Sequence, residues 1–213
     1  MAIHVETLVT GSFVENGYVL WRDDSDAAIA IDPGAEPERW VAWFEEKGLT
    51  PAAILCTHCH LDHCGAVKAL QERFQAPFLI HHEEQVMLDA LPVQCEMFGH
   101  PKVPKPKVTD HLFDDQVLDH AGYRITCIPT PGHTPGGTCF HVEEIGTVFT
   151  GDTLFAGSVG RTDFPGGETE TLLASLKDLC ERLPDETRVL SGHGPETTIG
   201  TERTTNPFFR VER

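Results

Sequence analysis

Residues 52–80, AAILCTHCHLDHCGAVKALQERFQAPFLI, carry the reading on which the fold turns. AAILC is a continuous apolar run of the kind that forms a buried strand, and THCHLDH is a polar loop leaving it. GAVKALQERF has helical spacing, and PFLI is a short second strand. The order is β-loop-α-β, which puts the histidine loop at the carboxyl end of a strand. Within that loop His58, His60, Asp62 and His63 place four metal-competent side chains in six residues. His58 and His60 lie two apart, so an extended backbone projects them to one side, while Asp62 and His63 fall at the turn into the helix and point elsewhere. That division suits two neighbouring ions. A closed structural zinc site would instead use four thiolate or imidazole ligands and no carboxylate.

Before this unit, IHVETLV, FVENGYVLW and AAIAIDPG read as strands, and EPERWVAWFEEKG as a helix ended by Gly48. After it, PVQCEMFGHPKVPKPKV (92–108) is rich in proline and reads as a surface excursion without a regular helix or central strand. YRITCIPT, TCFHV, GTVFT and RVLSG are further strand-like runs, ETETLLASLKDLCERL is a helix, and the C-terminal segment is expected to be helical in part. His133 in PTPGHTPGG, Asp152 in VFTGDTLF and His193 in VLSGHGPET each follow such a run beside glycine or proline. Loops beyond strand ends let a rigid scaffold aim side chains at one point, and adjacent glycines permit close backbone approach.

The whole chain sets bounds on these readings. Its 213 residues suit a single α/β domain, 1–213, and no apolar run approaches the length of a membrane helix. The N-terminus MAIHVETLVTGSF has no basic region followed by an apolar stretch, so the expected compartment is the cytoplasm. A formal charge of −17 repels polyanions, which argues against a nucleic-acid partner and leaves a small-molecule substrate. The seven irregularly spaced cysteines do not form a disulfide framework. Cys127 and Cys139 are read as core residues, and Cys56, Cys59 and Cys64 as packing or supporting the ligand loop, not as ligands.

THxHxDH followed by GH, GD and GH in that order resembles the metallo-β-lactamase superfamily. The resemblance implies a four-layer αβ/βα sandwich, two sheets flanked by helices, with the active site at the strand-end edge. It further implies one metal held by His58, His60 and His133, a second by Asp62, His63 and His193, and Asp152 bridging both. All seven positions are filled. Two divalent ions are expected, zinc first, with iron or manganese as alternatives. Asp32 in IDPG matches a family position whose carboxylate accepts a hydrogen bond from a ligating imidazole; it also reads as a turn-forming Asp-Pro-Gly, and the two are compatible.

GRTDFPGG (160–167) and SGHGPETTIGTERTTNPF (191–208) are most similar to the compact glyoxalase II-like hydrolases of hydroxyacyl-thioesters such as lactoylglutathione. In that reading a hydroxide made at the metal pair attacks the carbonyl, and Asp62 receives a proton as the intermediate collapses. Arg161 is a candidate to pair with a substrate carboxylate, or else to salt-bridge Asp163 or Glu168. Lys102, Lys105 and Lys107 form a small basic patch, a weaker candidate for an anionic tail. The larger glyoxalase II enzymes add a C-terminal helical domain that holds glutathione; here 20 residues follow His193, and an open cleft is expected. The first rival is a persulfide dioxygenase-like enzyme, which would use a single iron at His58, His133 and Asp152. The second is another superfamily hydrolase, nuclease or lactamase-like.

Overall fold

The computed structural model describes residues 2–210. The chain forms two compact units: the first runs through Leu112 and includes His120–Gly122, and the second comprises Phe113–Asp119 and the chain from Tyr123 onward. No helix among the described residues is long and apolar enough to cross a membrane.

The first unit is built on a mixed sheet of β1 (Ile3–Thr10), β2 (Glu15–Arg22), β3 (Ala27–Ile31), β4 (Thr50–Leu55), β5 (Phe78–His81) and β6 (Asp110–Leu112), hydrogen-bonded in that order. The first three strands pair antiparallel, and β3 to β6 pair parallel. The helices are α1 (Pro37–Lys47), α2 (Leu61–Cys64), α3 (Val67–Phe74), α4 (Gln85–Asp89) and α5 (Leu91–Met97). Pro37 suits the first turn of α1, where its missing N–H costs nothing, and Gly48 closes the helix at φ 66°. Trp40 and Phe44 of α1 and Val67 and Leu70 of α3 are completely buried in one core cluster with Ile54, Phe78 and Ile80. Burying side chains of this size contributes about 1.5–3 kcal/mol each. This packing holds the end of β4, from which the histidine loop departs.

The second unit carries a mixed sheet in the order β14 (Thr197–Thr198), β13 (Arg188–Ser191), β10 (Thr147–Gly151), β9 (Thr138–Val142), β8 (Tyr123–Pro129) and β7 (Val117–His120), with a small β11 (Leu154–Phe155) and β12 (Ser158–Val159) hairpin. Its helices are α6 (Thr169–Arg182) and α7 (Ile199–Thr205). Leu172, Leu176 and Leu179 recur at helical spacing along α6 and are buried with Ile128, Val148 and Val189 of the strands. The Glu168 carboxylate caps α6 by accepting from the Glu170 and Thr171 amides. All seven cysteines are buried thiols, Cys127 and Cys139 completely so.

One expectation is corrected. The stretch 92–108 is not irregular throughout, because Leu91–Met97 forms α5 with Pro92 in its first turn. A proline there forfeits only an amide that has no intrahelical acceptor, so the helix starts at it instead of breaking. The prolines at 101, 104 and 106 lie beyond the helix in chain without regular structure.

Candidate functional site

In the first unit, β4 ends at Leu55 and the chain passes through 56–60 into α2. His58 and His63 are 2% and 0% exposed, whereas His60 and Asp62 are partly open. The His58 ring lies 4.0 Å from that of His63 and 4.8 Å from that of His60, centroid to centroid. Asp32, at the end of β3 and buried, organises them. Its Oδ1 accepts the Thr57 amide at 2.7 Å, and its Oδ2 accepts the Thr57 hydroxyl at 2.7 Å and His63 Nδ1 at 3.1 Å. A carboxylate only accepts, so His63 Nδ1 carries the proton and its Nε2 is the lone-pair nitrogen. The Thr57 hydroxyl, its own hydrogen given to Asp32, in turn accepts from His58 Nδ1 at 3.1 Å. One carboxylate thereby sets the tautomer of two imidazoles. Asp32 also adopts φ 50°, so it serves the turn as well as the histidines.

Asp32→Ala is expected to lower metal affinity about 10–100-fold, the usual cost of losing a group that orients a ligating histidine. Titration of the apo-protein with metal against a chromogenic chelator measures it, and an unchanged affinity would contradict the assignment.

Sequence reasoning missed three supports in this unit, Glu84, Gln94 and Glu15. Glu84 Oε2 accepts the Cys59 amide at 2.8 Å, and Gln94 both accepts the Leu61 amide at 2.8 Å and donates to the Cys59 carbonyl at 3.1 Å. Cys56 and Cys64 donate their thiols to the carbonyls of His63 and His60, a supporting role. Glu15 is completely buried; its Oε2 accepts from the Thr10 hydroxyl at 3.3 Å, and its Oε1 lies 4.0 Å from His63 Nδ1. Burial pushes its carboxyl well above the usual carboxylate range, opposed by His63. Nothing in the sequence around Glu15, Glu84 or Gln94 marks them, since each acts on a backbone or ring distant along the chain.

In the second unit, His133, Asp152 and His193 follow the ends of β8, β10 and β13 and stand together. Asp152 Oδ2 lies 3.6 Å from His133 Nε2, and Asp152 Oδ1 lies 3.7 Å from His193 Nε2. His133 Nδ1 donates to the Arg161 carbonyl at 2.7 Å, which turns its Nε2 toward Asp152. Arg161 therefore acts here through its backbone. Its guanidinium forms a two-pronged pair with Asp163, both contacts 2.7 Å, over the ring of Phe164.

These donors fit divalent cations. Ligands about 2.1 Å from a tetrahedral ion stand about 3.4 Å from one another. The 3.6 and 3.7 Å separations in the second unit, and 3.9 Å from His63 Nε2 to Asp62 Oδ2 in the first, are close to that and longer than hydrogen bonds.

Comparison with known proteins places these arrangements. Residues 10–193, a span that includes all seven candidate ligands, match the model of the metallo-beta-lactamase superfamily. The chain is 38% identical to the hydroxyacylglutathione hydrolase GloC of Haemophilus influenzae, over 97% of this chain and 98% of that protein. Among solved structures it is similar to the BLEG-1 B3 metallo-beta-lactamase, with a TM-score of 0.90, 38% identity and coverage of 97% of this chain and 99% of that one. It is also similar to TTHA1623 in a di-iron-bound form, with a TM-score of 0.87, 40% identity and coverage of 95% and 99%. The two mixed sheets with flanking helices are thus the fold that the THxHxDH, GH, GD and GH loops imply, and the chain belongs to the metallo-β-lactamase superfamily.

Proposed function

We propose that the protein is a binuclear metal-dependent hydrolase of hydroxyacyl-thioesters, glyoxalase II-like, with residues 1–213 acting as one cytoplasmic domain. His58, His60 and His133 would hold one ion, Asp62, His63 and His193 the other, and Asp152 both; zinc is the first candidate, iron or manganese the alternatives. The observation that carries this reading is the tautomer control in each unit: Nδ1 of His58, His63 and His133 is tied to an oxygen, so that Nε2 is the ligating nitrogen. The similarity to a protein named hydroxyacylglutathione hydrolase supports the substrate class.

Two divalent ions held there would supply Lewis acidity for the carbonyl and would lower the pKa of a bound water far enough to give hydroxide near neutral pH. The chain's own residues do the rest. Asp32, through Thr57 and His63, fixes the imidazoles before substrate arrives, so no reorganisation is needed during reaction. Asp62, partly open, accepts the proton released as the tetrahedral intermediate collapses. A thiol of pKa about 8.5 departs as thiolate without a strong general acid, which suits a site whose acidic and imidazole groups are committed as ligands. Arg161 would reach a substrate carboxylate by exchanging it for Asp163.

Elemental analysis of the purified protein, run beside hydrolysis of lactoylglutathione and simpler thioesters, tests this. About two metals per chain and measurable thioesterase activity are expected. About one iron per chain with oxygen consumed on glutathione persulfide would overturn it in favour of the dioxygenase reading.

A further inference from the structure

One buried carboxylate of the second unit takes no part in the site described above. Glu202 of α7 is 1% exposed, and both of its oxygens are engaged. Oε1 accepts from the Thr197 hydroxyl at 2.7 Å, and Oε2 accepts the Gly157 amide and the Asn206 side-chain amide, each at 2.8 Å. Asn206, completely buried, also donates to the Ser158 carbonyl at 3.0 Å. Burying a carboxyl group is costly unless its oxygens are paired, and three donors supply the pairing here. Through these two side chains α7 grips backbone groups of Gly157 and Ser158, at the tip of the β11–β12 hairpin.

The hairpin needs that grip. Its ladder has only two pairs, Leu154 with Val159 and Phe155 with Ser158, and a two-stranded ribbon so short does not hold its shape unaided. Its roots lie among the candidate ligands. Asp152 stands just before β11, and Gly160 and Arg161 follow β12 directly. A Cβ on Gly160 would stand 1.8 Å from the Asp152 carbonyl oxygen, so the returning chain is pressed against the chain that left. The next carbonyl, that of Arg161, accepts His133 Nδ1 at 2.7 Å. Phe155 meets the third candidate ligand, its ring edge-on to that of His193 with centroids 6.1 Å apart. A tip that swings carries Gly160 and Arg161 with it, and the His133 ring loses the acceptor that turns its Nε2 toward Asp152.

We propose that Glu202, assisted by Asn206, is a positioning residue of the metal site. By pinning the hairpin tip it fixes the Arg161 carbonyl, and through that carbonyl the orientation of the His133 imidazole, while its own side chain bonds to none of the candidate ligands. The role rests on the metal-site reading above and is independent of which substrate is cleaved.

Glutamine at this position separates the tether from the charge. Its carbonyl oxygen can accept from Gly157 and Asn206 as Oε2 does, and its NH2 can donate to the Thr197 hydroxyl, reversing that one bond. Thr197→Val deletes the same bond and leaves the hairpin tie intact. Zinc-loaded, full-length wild type, Glu202→Ala, Glu202→Gln and Thr197→Val are each titrated with a chromogenic chelator and melted thermally. Solvent exchange of the His133 Nδ1 proton is followed by NMR with and without zinc. Glu202→Ala is expected to hold zinc about tenfold less tightly, the lower end of the range for groups that orient a ligating histidine, and to exchange that proton faster. Glu202→Gln should restore both readings, and Thr197→Val should lower the melting temperature without moving either. Wild-type affinity and exchange in Glu202→Ala, equal losses in Thr197→Val, or no rescue by glutamine would each overturn the proposal. If Glu202→Ala does not fold, Asn206→Ala, which releases Ser158 but keeps the Gly157 bond, should shift both readings the same way, and no shift there overturns it. A wild type that holds no zinc sinks the metal reading, while the exchange of the His133 proton still decides the positioning role.

Discussion

Asp152→Ala is expected to leave the protein folded while stripping its metal and abolishing thioester turnover. Asp152 follows β10 in a loop, and its two oxygens each face a different imidazole, His133 at 3.6 Å and His193 at 3.7 Å. Alanine removes both contacts and the carboxylate charge that faces the two nitrogens, of which His133 Nε2 is held toward it by the Nδ1 bond to the Arg161 carbonyl. The loss of metal affinity should exceed the 10–100-fold expected for Asp32→Ala, because the donor itself disappears and not merely the group that orients one. Stability should change little, since the strand before the loop is anchored by Val148 and Phe149, both completely buried, and the loop by the Thr153 amide bonding the Thr150 carbonyl at 3.0 Å. Metal content, kcat/KM and a thermal melt of the variant check the three parts separately. Full metal content with normal turnover would remove Asp152 from the site altogether.

Asp152→Asn divides this effect further. The amide has nearly the volume of the carboxylate but no charge, so it tests whether shape or charge holds the two imidazoles' common partner. Metal loss as deep as in the alanine variant points to charge.

The candidate ligand residues could be singled out because each sits where a strand's apolar pattern stops and a glycine-rich or polar loop begins, a signal that is local in the chain. THCHLDH after AAILC, and the GH, GD and GH loops, have that form, and they lie at the ends of β4, β8, β10 and β13. What orients them was legible only in part. Asp32 could be read because it closes a strand with Asp-Pro-Gly. Glu84 and Gln94 could not, because their partners are the amides of Cys59 and Leu61, 25 and 33 residues away. Arg161 illustrates the same limit, since its side chain drew attention while its carbonyl binds His133. Hydrogen bonds to backbone groups have no residue-type signature, so that layer of a site stays hidden in one sequence. The short strands β6 and β7 were missed for a related reason: three- and four-residue ladders need no pattern beyond their neighbours' edges.

Gly34→Ala should damage stability and metal binding together. A Cβ at residue 34 would stand 1.6 Å from the Asp62 carbonyl oxygen and 2.5 Å from Glu15 Oε2. The first obstacle is backbone, so no rotamer change relieves it, and the 32–34 turn and α2 must separate. That contact is reinforced where the Ala66 amide bonds the Pro33 carbonyl at 3.0 Å and where Gly65 stands so close that its own Cβ would be 2.3 Å from the Gly34 oxygen. Overpacking against backbone should cost about 3 kcal/mol, and the melting temperature should fall by roughly 10 °C. Moving Asp62 and His63 away from Asp32 should also lower metal occupancy. Gly48→Ala is the control: its φ of 66° strains an alanine by about 1–2 kcal/mol, yet nothing lies within 4 Å of the added carbon. A fall of a few degrees with full metal content is expected there. If both variants lost metal in proportion to their loss of stability, the 32–34 turn would have no specific hold on the ligand helix; metal loss confined to Gly34→Ala shows that the turn sets the position of Asp62.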